Sequence, residues 1–140
     1  MHEKPIYFSY DANTGIRLAT YRGTIDDKNL LEAYRELIVQ PDFDPLAHDL
    51  ADLRGVEHVE LTPNGLNQLA MMLSGGGSLP RPSQLAGLAI VADTPVAYGI
   101  ARMYEMMTES FLPKETRVFR EFDDALSWLL SKPRLRWPGS

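Results

Sequence analysis

Leu85-Ala86-Gly87-Leu88-Ala89-Ile90-Val91-Ala92 is an unbroken apolar run of eight residues, and Asp93-Thr94-Pro95 follows it at once. A run this short and this apolar suits a strand covered on both faces. The triplet after it is a helix start. Threonine offers a capping hydroxyl, and proline takes the first helical position, where no amide hydrogen is needed. A buried strand that feeds a helix is half of a parallel βαβ unit, so this stretch decides the fold class.

The same start signal stands upstream at Thr62-Pro63. His48 to Leu53 before it reads as another strand, with RGVEHVEL as the connecting loop. Leu66, Leu69, Ala70 and Leu73 then form the inward stripe of one helix, and Ile100, Met103, Tyr104, Met107 and Phe111 that of the next. Downstream, Thr116 to Arg120 is a short strand. A last helix carries Phe122, Ala125, Leu126, Trp128 and Leu129.

Further upstream the pattern alternates. Ile6, Phe8 and Tyr10 share one face, DANTG (11–15) is turn chemistry, and Ile16, Leu18 and Thr20 lie opposite Arg17, Ala19 and Tyr21. An antiparallel hairpin is expected here. Gly23-Thr24 then reads as a helix start with Thr24 as cap and Asp27 three residues on. Leu30, Tyr34, Leu37 and Ile38 make its stripe, and Pro41 stops it. The predicted order is β-β-α-β-α-β-α-β-α. This is an α/β fold with a mixed, mainly parallel sheet of about five strands and four helices.

The 140 residues suffice for one domain, expected over 1–131, with 132–140 as a flexible tail. Gly75 to Gly77 read as a helix end and the start of a loose linker. Lys and Arg number 14 against 19 Asp and Glu, a net charge of −5, which argues against a nucleic-acid partner. There is no cysteine, so disulfides and thiol chemistry are excluded. An eight-residue apolar run cannot span a membrane, and MHEKPIYFSY holds no apolar signal core, so a cytoplasmic location is expected. His2, His48 and His58 lack metal-ligand spacing, no G-x-S-x-G turn occurs, and no metal, cofactor or catalytic residue is expected.

Several segments resemble the STAS-like superfamily, in a loose branch related to the sporulation anti-anti-sigma factors. Asp52-Leu53-Arg54-Gly55-Val56 is similar to the end of that family's third strand. Gly99-Ile100-Ala101-Arg102-Met103-Tyr104-Glu105 is similar to the loose branch's third helix. Val118-Phe119-Arg120 with Asp123-Asp124-Ala125-Leu126-Ser127-Trp128-Leu129 is similar to its last strand and helix. The resemblance implies a STAS-like fold from about Ile6 to Leu130 and a regulatory or binding role. It also draws attention to Arg102. Anti-anti-sigma factors carry a phosphorylatable serine in a D-S-x-G-like turn before the second helix. Here that turn is Glu60-Leu61-Thr62-Pro63-Asn64-Gly65, where Thr62 is the only hydroxyl.

Three places carry the functional expectations. Thr62, with Asn64 beside it, reads first as a helix cap and second as a phosphorylation candidate. Asp52 and Asp93 lie at carboxyl ends of strands, next to the helix starts at Pro63 and Thr94-Pro95. Arg54 and Arg81 are within reach of that edge, where the helix starts suit an anion and the two carboxylates suit acid–base chemistry or a hydrated metal. Met103, Met106 and Met107, with Met71 and Met72, form an adaptable apolar surface. Neighbouring pairs such as Met106-Met107 cannot both face one core, so some methionine should reach the surface. Arg102 is expected to pair with Glu105, Glu109 or Asp93.

Without a catalytic constellation, the chain reads as a small non-enzymatic regulatory or binding domain. It would engage a partner protein or a small apolar ligand through the Met-rich third helix and the Thr62 turn. The alternative is an anion-binding protein or enzyme at the strand edge, using Asp52, Asp93 and two helix N-termini. Self-association as a homodimer through the aromatic hairpin is a third expectation.

Overall fold

The computed structural model describes residues 4–74, 86–109 and 114–133. Nine elements follow in the predicted order: β1 (Ile6–Asp11), β2 (Ile16–Asp26), α1 (Asp27–Ile38), β3 (His48–Glu60), α2 (Pro63–Leu73), β4 (Gly87–Val91), α3 (Pro95–Thr108), β5 (Glu115–Phe119) and α4 (Phe122–Ser131). The sheet runs β1-β2-β3-β4-β5, antiparallel only between β1 and β2. The glycines 75–77, Arg81, Phe111, and the tail residues Arg134, Arg136 and Trp137 lie outside the described residues.

The hairpin closes with Asp11 opposite Ile16 and Ile6 opposite Tyr21. Asp11 accepts the Asn13 amide at 2.9 Å inside the turn. β4 is covered on both faces, as its composition predicts. Ile90 packs under three helices, and Ala89 and Val91 pack under one. The arrangement follows from strand periodicity. On β2 and β3, Ala19, Tyr21 and Ala51 face α1, α2 and α3, while Ile16 and Leu50 face α4.

Two boundaries differ from the sequence expectation, for one shared reason. Gly23-Thr24 does not open α1. β2 runs on to Asp26, and Gly23 adopts φ 68° where the strand breaks register. Such a backbone suits glycine, which has no Cβ to clash. The stretch expected as a loop after Leu53 is the second half of β3, running to Glu60. The two extensions pair with each other, Asp26 beside Glu60. Neither shows in local pattern, because Glu57, His58 and Glu60 are exposed and the pairing itself holds them extended. The true start of α1 is a capping box. Asp26 accepts the Asn29 amide at 2.8 Å, and the Asn29 side chain accepts the Asp26 amide at 3.0 Å.

The helix starts at Thr62 and Thr94 are as expected. Thr62 accepts the Gly65 amide at 3.0 Å, and Thr94 accepts the Ala97 amide at 3.2 Å. The start of α2 has a second support from α1. Asp27 accepts the Thr62 amide at 2.9 Å and the Thr62 hydroxyl at 2.5 Å. Its carboxylate therefore lies against the positive end of α2. A methyl group on Gly65 would sit 2.1 Å from Asp27 Oδ1, so glycine is what lets the carboxylate approach.

This clamp makes a coupled prediction. Asp27→Ala and Gly65→Ala should each lower stability by about 1–2 kcal/mol, the first by removing the bonds and the second by displacing the carboxylate. In the double variant the second change should cost little beyond the first. Urea denaturation of the four proteins measures this, and strict additivity would show that the two residues do not act together.

Candidate functional site

A cavity of about 280 Å³ lies between the sheet and α1, α2 and α3. Its walls are apolar, with Leu30 from α1, Leu66, Leu69 and Met72 from α2, Ile100 from α3, and Ile90 from the sheet. Small side chains, Ala51 on β3 and Ala101 on α3, keep space open between the layers.

One end of this cavity is charged. Arg17 and Asp49 are register partners on adjacent parallel strands, so both point to the three-helix face. Arg17 Nε donates to Asp49 Oδ1 at 2.7 Å and Nη2 to Oδ2 at 3.1 Å, a two-pronged contact. Arg17 Nη1 also donates to the Asp44 carbonyl at 3.0 Å, and the guanidinium lies 4.8 Å from the centre of the Phe43 ring. Lys114, just before β5, reaches past β4 to pair with Asp49 and donates to the Ala47 carbonyl at 2.9 Å. The group sits at the amino ends of the parallel strands; Asp52, expected at the end of a strand, lies inside β3, because that strand runs on to Glu60.

Burial alone would raise the Asp49 carboxyl, but the Lys114 and Arg17 cations outweigh it and hold its pKa below the ordinary value. Burial lowers the Lys114 ammonium, with Asp49 offsetting part of the effect and Arg17 adding to it. Three tyrosines line the same cavity. The Tyr21 and Tyr34 hydroxyls share a hydrogen bond at 2.6 Å. The Tyr104 hydroxyl is buried and has no partner among the described residues. Burial raises all three phenols, so each stays protonated.

The residues singled out in the sequence are distributed elsewhere. Thr62 caps α2 and is bonded to Asp27, and Asn64 is exposed in the first turn. Asp52 faces α4, where Arg54 binds both its oxygens at 2.9 and 2.8 Å and stacks 4.8 Å from the Phe122 ring. Asp93 is exposed beyond β4, and Thr94 caps α3. Arg102 pairs with Glu105, one of its expected partners. Met103 and Met107 pack against the core, while Met106 is 68% exposed and Met71 63%, so each adjacent pair does divide between inside and outside. α3 meets the cavity through Ile100, Ala101 and Tyr104; the methionine that lines it is Met72 of α2. His48 is buried and accepts the Gly87 amide at Nδ1, 3.1 Å away. Among the described residues no three His, Cys, Asp or Glu side chains group as metal ligands, and no helix is long and apolar enough to cross a membrane.

Sequence reading did not single out Arg17, Asp49, Lys114 or the tyrosines as a site. A signal existed in two strands. Arg17-x-Ala19-x-Tyr21 and Asp49-x-Ala51-x-Leu53 each place a charge at the head of a face that is otherwise apolar. In parallel register those opposite charges meet.

The cluster predicts a defined acid sensitivity. The stability that Asp49 contributes is present above its unfolded pKa near 4 and is lost as pH falls through its lowered folded value. Asp49→Asn should therefore cost about 3 kcal/mol at pH 7, because two cations lose their partner. The gap from the native protein should narrow towards pH 3, as measured by urea unfolding across that range. A gap that stays constant with pH would mean that Asp49 is not held ionised.

No family model matches the chain, and no curated protein matches it. Among solved structures, it is similar to an uncharacterised protein of the DUF3478 family from Shewanella loihica PV-4, described as having a SpoIIAA-like fold. The superposition covers 89% of this chain and 91% of that one, with a TM-score of 0.52 and 18% sequence identity. At that identity the likeness concerns architecture, and the five-stranded mixed sheet with four helices agrees with it. The chain has a SpoIIAA-like fold, as the STAS-like resemblance of its sequence implies.

Proposed function

We propose that the protein is a non-catalytic binding domain that takes up a small, largely apolar ligand between its sheet and the α1–α2–α3 layer. The observation that carries this reading is the cavity of about 280 Å³ walled by Leu30, Leu66, Leu69 and Ile100. Core packing normally leaves few voids larger than a water molecule. A space of this size approaches the lower end of ligand pockets, roughly 300–1,000 Å³. The cavity is concave, apolar and supplied with a few polar groups at one end, which is the usual make-up of a small-molecule site.

The sequence expectation of an apolar ligand is kept, but its seat moves from the methionine face of α3 to the layer beneath it. The Thr62 turn then serves the site indirectly, by holding α2 to α1. At the strand edge, Arg54 binds both oxygens of Asp52, which leaves that residue little to offer a substrate.

The test is saturable uptake of the neutral apolar fluorophore N-phenyl-1-naphthylamine. One site per chain is expected. Ala101→Phe and Ala51→Leu, which project bulk into the cavity, should each weaken uptake at least tenfold while the far-UV circular dichroism is kept. Absence of saturable uptake, or uptake indifferent to both substitutions, would overturn the reading.

A further inference from the structure

The charged end of the cavity is rich in donors and poor in acceptors. Among the described residues Asp49 is the only carboxylate lining it, against two cations, Arg17 and Lys114. Asp44 does not line the cavity; its charge acts on Lys114, but its carboxylate accepts the Leu46 amide at 2.9 Å and it gives Arg17 only its carbonyl. Arg17 spends three of its five N–H groups on Asp49 and Asp44. Lys114 spends two N–H groups on Asp49 and Ala47 and has a third. In the Tyr21–Tyr34 pair, whichever hydroxyl accepts has no acceptor for its own proton among the described residues. The Tyr104 residue is only 5% exposed, and its hydroxyl has no partner among the described residues. Tyr104 lines the same cavity as Arg17, Asp49 and Lys114.

Buried donors without acceptors are costly, and so is a buried surplus of positive charge. Both are relieved by one group that accepts hydrogen bonds and carries one negative charge. The remainder of the cavity demands an apolar body.

We propose that the ligand is an apolar monocarboxylic acid, its ionised head held by Lys114, Arg17 and the Tyr104 hydroxyl and its hydrocarbon part lying among Leu30, Leu66 and Ile100. The proposal rests on the cavity being a ligand site and adds the chemical class of the ligand. With the acid bound, the two cations of the lining face two carboxylates inside the cavity, and the Tyr104 hydroxyl gains an acceptor. A dianionic head would overshoot this balance, and an alkylamine would add a third cation.

Displacement of N-phenyl-1-naphthylamine by octanoate, 1-octanol and octylamine tests this on the full chain at pH 7. Octanoate should bind at least tenfold more tightly than octanol, with octylamine weakest. Lys114→Met should abolish the preference for the acid. Because that change leaves Asp49 with one cation and can disturb folding, Tyr104→Phe is the second variant. It removes only a hydroxyl that has no partner among the described residues, so the fold should be kept. Octanoate should weaken about fivefold relative to octanol. Octanol equal to octanoate, or an acid preference that survives both substitutions, would overturn the head-group assignment and leave the cavity reading standing. Failure of the fluorophore and all three amphiphiles to bind would instead overturn the cavity reading itself.

Discussion

The contact between Arg17 and Asp49 is a consequence of parallel register. β2 and β3 start level, so residues of equal rank lie side by side and point the same way. One charged residue at the head of each strand therefore becomes a pair on the face that three helices cover. Removing both charges from water is costly, and the pair is tolerable because nearly every lone pair is answered. Arg17 meets Asp49 through two nitrogens, and Lys114 comes from the far side of β4 to complete the carboxylate's shell. This arrangement joins β2, β3 and the lead into β5, elements that are well apart in the chain. It also sets the polarity of the cavity, whose other end is hydrocarbon.

The helix layer follows a related logic. α1, α2 and α3 share one face, so they must contact one another as well as the sheet. The Asp27 clamp on Thr62 fixes how α2 leaves β3 relative to α1. With Gly65 as a bare point on α2, the carboxylate comes close enough to serve two donors. The alanines at 51 and 101 then decide what remains between the layers. Longer side chains there would fill the space as ordinary core.

Much of the architecture was legible because it is written in local pattern. The Thr-Pro starts of α2 and α3, the apolar β4 and the alternating hairpin each carry their own signal and take the places expected of them. The second halves of β2 and β3 were not legible, since exposed polar residues such as Glu57 and His58 become strand only by pairing. The same limit hid the site. Arg17, Asp49 and Lys114 are far apart in sequence, and the apolar faces that Arg17 and Asp49 head meet only through strand pairing. Methionines attracted attention because they cluster in the chain, yet the cavity draws mainly on leucines, whose abundance makes them uninformative. A strand-edge site was expected from general α/β geometry, but here the charged groups gather at the amino ends.

The unequal sharing of helices between the two faces also divides the protein's chromophores. Trp128 lies on α4, 5.7 Å from Phe119 and close to Lys132, with the sheet between it and the cavity. Tyr21, Tyr34 and Tyr104 surround the cavity's polar end. Events in the cavity are therefore recorded in tyrosine absorbance, whereas the emission of Trp128 follows the packing of α4. With Trp137 replaced by phenylalanine, the two faces can be watched separately in one unlabelled molecule.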